Sequence, residues 1–97
     1  MTVVSLLQLP VRPGSEDALV DAFARLEVFR HSDQSGGFLG GRLLRPRDGG
    51  PFVVMAEWES DAAYRGWLEN PVRAGLSPQI EPLLSGDVEA GRLYEDG

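Results

Sequence analysis

Two indoles, the phenol of Tyr64, one imidazole and several guanidinium groups are the side chains here singled out as able to carry chemistry. Trp58 closes a run of strand-forming residues. Tyr64 and Trp67 follow it one helical turn apart (i, i+3), so they can flank a single opening. An indole offers a large apolar face with an N–H at its edge. It can stack on a flat ligand or fill a core, and both readings stand for Trp58 and Trp67. The Tyr64 hydroxyl is either a proton donor to a reacting group or the partner of a backbone carbonyl. His31 is the sole histidine and titrates near neutrality at its ordinary pKa, which makes it the candidate general acid or base. At a helix C-terminus the dipole would favour its imidazolium whatever the function. Arg42 shares a strand face with Gly40 and Leu44, where a buried guanidinium could hold a phenolate or carboxylate or bridge two subunits. Phe23 and Phe38 are the aromatic residues placed to line the same opening. Glu57 and Glu59 read as solvated or paired with Arg45 or Arg65.

The residue types that are missing narrow the chemistry. With no cysteine there are no thiol nucleophiles, disulfides or iron–sulfur clusters. All 9 basic residues are arginine, so neither a Schiff base nor a phosphate loop with its obligatory lysine can form. One histidine cannot build a metal cluster, and neither a metal nor a cofactor is expected. A formal charge of -6 argues against nucleic acid as a partner. No apolar run approaches the ~20 residues of a membrane span. Met1 to Pro10 has neither a basic stretch nor a cleavage-site pattern, which points to a cytoplasmic protein. Ninety-seven residues fit one domain, 1–97.

These side chains need elements to hold them. Thr2 to Leu9 is β-branched and aliphatic and stops at Pro10, as a strand would. Ser15, followed by Glu16 and Asp17, reads as the cap of an amphipathic helix running to about Arg30, with Leu19, Ala22, Phe23, Leu26 and Phe29 on one stripe. Phe38 to Arg45 is a second strand, in which Gly40 and Gly41 predict a bulge or a close approach by another group. A Gly-rich turn leads to a third strand, Phe52 to Glu59. Ser60 caps a short helix. Pro71 restarts helix with Val72, Leu76, Ile80 and Leu83 as its apolar face, and Asp87 to Tyr94 is a last strand.

The order strand, helix, strand, strand, helix, strand predicts an α+β fold. It is the ferredoxin-like β-α-β-β-α-β arrangement, a four-stranded antiparallel sheet with helices on one face. Val4, Leu6, Val53 and Met55 make the other face apolar as well, so a second copy is expected to cover it and give a homodimer.

The segment Ala56-Glu57-Trp58-Glu59-Ser60-Asp61-Ala62-Ala63-Tyr64-Arg65, with Gly37-Phe38-Leu39-Gly40 before it and Trp67-Leu68 after it, is similar to the antibiotic biosynthesis monooxygenase domain of the dimeric α+β barrel superfamily. The likeness runs from the first strand through the last. It implies two sheets packed face to face, with one pocket per subunit between sheet and helices. Members acting on aromatic polyketides are cofactor-independent monooxygenases that convert phenols or quinols to quinones. Such a protein binds a flat ring, favours its anion, excludes water and places a proton donor, while the electron-rich substrate itself reduces oxygen. The family's tryptophan at the end of the third strand and its tyrosine six residues later match Trp58 and Tyr64. Its asparagine position is Val54 here, and its arginine position falls near Leu76 or Ser77. The Asn, Trp and His of the haem-degrading branch fall on about Leu7, Trp67 and Ser77; only the tryptophan is kept, and haem degradation is not expected. Residues and resemblance leave two readings. One is a monooxygenase or related tailoring enzyme for an aromatic or quinol-like small molecule, with His31 and Tyr64 catalytic and Trp58, Trp67, Phe23, Phe38 and Arg42 around the substrate. The other is a catalytically silent dimeric binding or structural module of the same fold.

Overall fold

Alternation of apolar residues along two central strands organises the molecule, a computed structural model that describes residues 2–96. In chain order the elements are β1 (Val3–Leu9), α1 (Glu16–Arg25), α2 (Val28–Gln34), β2 (Phe38–Leu44), β3 (Phe52–Trp58), α3 (Asp61–Leu68), α4 (Pro71–Ile80), a 3-10 turn (Glu81–Leu83) and β4 (Arg92–Tyr94). The sheet order is β2-β3-β1-β4 with every neighbouring pair antiparallel, the ferredoxin-like topology. The register sets Val3 opposite Trp58, Ser5 opposite Ala56 and Leu9 opposite Phe52, and all of these are buried toward the helices. Alternate residues Val4, Leu6, Val53 and Met55 are half-buried on the opposite face, flanked by exposed Gln8 and Glu57. Leu19, Phe52 and Trp58 are the largest side chains buried almost completely in the core.

Local chemistry fixes the element ends, in places differently from the sequence expectation. The helix predicted from Ser15 to about Arg30 is two helices, because Glu27 adopts the left-handed conformation (φ 50°, ψ 48°). A residue with a β-carbon pays about 1–2 kcal/mol there. The break turns Val28 into the core and lets Phe29 stack on Phe38 with ring centroids 6.1 Å apart. Ser15 makes no side-chain cap; instead the Gly14 N–H donates to the Glu16 carboxylate at 2.9 Å. Ser60 does cap α3, its hydroxyl accepting the Ala63 N–H at 3.2 Å. Asn70 caps α4 by accepting from the Val72 N–H at 2.9 Å, ahead of Pro71 in the first turn.

The double glycine of β2 shows both expected features. The register with β3 shifts between Phe38 and Gly40, and a β-carbon on Gly41 would lie 2.7 Å from the Met55 carbonyl and 3.0 Å from the Phe29 ring. The last strand is shorter than predicted, since only Arg92–Tyr94 pairs with β1, opposite Val4 to Leu6. Residues 85–91 run without regular structure, bracketed by Gly86 and Gly91, and Gly91 abuts the Tyr64 hydroxyl. No helix among the described residues is long and apolar enough to cross a membrane, and no group of three or more His, Asp or Glu residues there is placed to hold a metal ion.

Candidate functional site

The helix-facing side of β1 and β3 forms the floor of a cavity of about 350 Å³, within the usual range for small-molecule sites. Ser5, Leu7, Val54, Ala56 and Trp58 make the floor; Phe23 of α1 with Val28, Phe29 and Ser32 of α2 make one wall. Tyr64 and Trp67 of α3 and Arg73, Leu76, Ser77 and Ile80 of α4 make the other, and Val88 to Gly91 run along the rim.

A chain of aromatic contacts braces the floor. Phe23 meets Phe29 at 6.0 Å, Phe38 meets Trp58 edge-on at 5.2 Å, and Trp58 meets Tyr64 at 5.7 Å between ring centroids. Pairs of this kind contribute about 0.5–1.5 kcal/mol each beyond their buried area, so the floor is a stiff platform. Trp58 belongs to both core and cavity. Its indole N–H donates to the Ser5 hydroxyl at 3.1 Å, and that hydroxyl donates in turn to the Ala56 carbonyl at 3.4 Å. The other serine hydroxyls are likewise engaged: Ser32 donates to the Val28 carbonyl at 3.0 Å and Ser77 to the Arg73 carbonyl at 3.2 Å.

Tyr64 and Trp67 differ from Trp58. Both rings are buried, yet no hydrogen bond among the described residues uses the Tyr64 hydroxyl or the Trp67 N–H, and neither atom is sealed from solvent. Burial pushes the Tyr64 hydroxyl above its ordinary pKa of 10.0, while the Arg73 guanidinium pulls the other way. At neutral pH Tyr64 is therefore a protonated donor facing an apolar space.

Of the residues singled out from sequence, the cavity brings together Phe23, Trp58, Tyr64 and Trp67. Phe38 stands behind Trp58 and supports it from outside the lining. His31 is half-buried on α2 and does not line the cavity, although the next residue, Ser32, does. Arg42 is exposed rather than buried. The bulge at the start of β2 sets it opposite Met55, on the sheet face that turns away from the helices. Arg45, considered for Glu57 or Glu59, pairs with Asp17 at 2.7 Å and lies over the Phe52 ring. Sequence reasoning missed Ser5 and Arg73. Ser5 is a polar residue at an inward position of an apolar run. Arg73 lies in one stripe with Leu76, Ser77 and Ile80 at helical spacing, one turn ahead of the position searched, while Val72, expected on the apolar face, is exposed.

The comparisons with known proteins bear on the family and the fold. The chain is 34% identical over 89 residues to a haem oxygenase (mycobilin-producing) of Mycobacterium tuberculosis, covering 89% of this chain and 82% of that protein. Its fold matches a variant of SnoaB, a cofactor-independent oxygenase from Streptomyces nogalater, at a TM-score of 0.77 and 25% identity over 98% of this chain and 92% of that one. A conserved protein from Methanosarcina mazei shares the fold alone, at a TM-score of 0.82 and 10% identity over 100% of this chain and 94% of that one. The family model described as antibiotic biosynthesis monooxygenase matches residues 2–74, which hold β1 to β3, α3 and the start of α4 with Arg73, and the chain belongs to that family.

Proposed function

We propose that the protein is a cofactor-independent monooxygenase acting on a flat, phenolic or quinol-like small molecule. The observation that carries this reading is a largely apolar, aromatic-walled cavity in which every lining serine hydroxyl and the Trp58 N–H are already engaged, so that among the described residues the Tyr64 hydroxyl, the Trp67 N–H and the Arg73 guanidinium are the donors left for a ligand. The reaction balances without a cofactor: a phenol and one O2 give a quinone and one water, the ring gaining one oxygen and losing two hydrogens. The substrate anion supplies the electrons. The cavity's part is to hold the ring, exclude water and donate a proton to the reduced oxygen as its O–O bond breaks, a role that fits a buried, protonated Tyr64.

Haem is the alternative substrate, favoured by the kinship with the mycobacterial haem oxygenase. The donor set does not fit it. Leu7, Trp67 and Ser77 all line the cavity, but leucine offers no ligand and the Ser77 hydroxyl is spent on a backbone carbonyl. Among the described residues neither histidine nor methionine lines it, and burial disfavours the tyrosinate through which Tyr64 would have to bind iron.

The open sheet face supports a homodimer. Val4, Leu6, Val53 and Met55 form an apolar strip edged by Leu44 and Tyr94, 38% and 46% exposed, and a second copy would cover it with a standard interface of roughly 800 Å² per partner. The test of function is oxygen uptake with naphthols and hydroxynaphthacenes, without added flavin or metal. Uptake that Tyr64→Phe cuts at least tenfold supports the enzyme. A lack of uptake, with the same compounds still bound, would leave a silent binding module.

A further inference from the structure

Among the described residues Arg73 is the one arginine in the cavity lining, and the chemistry around it leaves it without an assignment. It is half-buried on the wall opposite α2, and no ion pair among the described residues includes it; the pairs found there, Arg30 with Glu27 and Arg45 with Asp17, are exposed and elsewhere. The lining carboxylates, Glu81 and Glu89, are exposed and solvated at the rim. A lysine could shed its proton on burial, whereas a guanidinium cannot, so a half-buried arginine in an apolar cavity stands as a permanent positive charge awaiting a counter-ion. Its planar fork matches a carboxylate through two parallel hydrogen bonds. Carboxylic acids are ionised at neutral pH and phenols are not, so the partner that answers a standing charge without first losing a proton is a carboxylate.

We propose that Arg73 makes this cavity selective for an aromatic ligand that carries a carboxylate, with the guanidinium gripping the acid and the ring lying among Trp58, Tyr64 and Trp67. The inference rests on the aromatic-cavity reading above and adds the acid to it. The wider charge of -6 does not cancel the site, because fields from distant surface groups are screened within about 8 Å at physiological salt.

Equilibrium dialysis of the full chain at pH 7 and physiological salt, with 2-naphthoate, 2-naphthamide and 2-naphthol as probes, tests it. The wild type is expected to bind the naphthoate at least about tenfold more tightly than the amide, the usual worth of a charge-assisted hydrogen bond. Arg73→Gln should erase that preference and change amide binding less than about twofold, and Arg73→Lys should restore part of it. Circular dichroism checks that the variants fold. Equal loss of all probes in Arg73→Gln, or no preference for the naphthoate in the wild type, would overturn the role of Arg73 while the aromatic cavity stands. A naphthol that loses as much as the naphthoate would reassign the guanidinium to a phenolate and overturn the carboxylate. Failure of the wild type to bind any probe would overturn the aromatic cavity and this inference with it.

Discussion

Replacing Ser5 with alanine removes one oxygen and orphans a donor at the centre of the core. The Trp58 N–H donates to that hydroxyl at 3.1 Å, and Ser5 and Trp58 are only 4% and 1% exposed, so a replacing water could arrive only through the apolar cavity that they floor. A buried donor left without a partner costs about 1–3 kcal/mol, and the longer contact to the Ala56 carbonyl, at 3.4 Å, adds little. Taking about 2 kcal/mol, and about 4–8 °C per kcal/mol for a domain of this size, Ser5→Ala should lower Tm by roughly 8–16 °C. The melt is followed by circular dichroism at one fixed chain concentration, since association would otherwise shift Tm. Trp58→Phe in the Ser5→Ala background removes donor and acceptor together, so the double variant should lose less than the sum of the single losses. A loss below about 0.5 kcal/mol for Ser5→Ala would refute the reasoning, because the indole would then have found another acceptor.

Further consequences can be read at other positions. Tyr64 keeps its proton in the fold beyond its ordinary pKa of 10.0, so below that pH it takes nothing from stability; above it the unfolded chain ionises first, and stability falls as pH rises toward the raised value. Denaturant melts across the alkaline range should show that decline, and Tyr64→Phe should flatten it; an unchanged slope contradicts the burial assigned to the hydroxyl. Gly37→Ala should cost about 2 kcal/mol or more in urea unfolding, since the residue has φ 74° and its new β-carbon would collide with that of Ala63, whereas Gly49→Ala, with φ 83° in open space, carries the backbone penalty alone. Sedimentation should give about twice the 10.6 kDa chain mass at micromolar concentration, and a stable monomer would leave the apolar sheet face unexplained.

The sheet was legible because alternation is a direct projection of which side of a strand is buried: Phe52 and Trp58 against Val53 and Met55 announce two faces in the sequence itself. The helices around Trp67 were legible for the same reason. Glu27 was not, since glutamate favours helix and its left-handed turn follows from where Val28 and Phe29 must pack, not from any local preference. The shortened β4 has a similar origin: just ahead of it Gly91 packs against the Tyr64 hydroxyl, where a β-carbon would collide. In the site, the aromatic residues were readable by size and spacing. Arg42 and Arg73 exchanged places because an arginine looks the same on a solvated strand and on a cavity wall, and only the β2 bulge and the orientation of α4 tell them apart.

In the proposed reaction an aromatic substrate held in this cavity reduces oxygen without a cofactor. The direct measurement is the stoichiometry of oxygen uptake against quinone formed, by electrode and mass spectrometry, for wild type and Tyr64→Phe in the presence of a metal chelator. The expected result is one O2 consumed per quinone, a ring that has gained one oxygen and lost two hydrogens, no accumulating hydrogen peroxide, and a rate at least tenfold lower in the Phe variant. Oxygen uptake that releases hydrogen peroxide and adds no oxygen to the ring, or turnover that stops with the chelator, would contradict it.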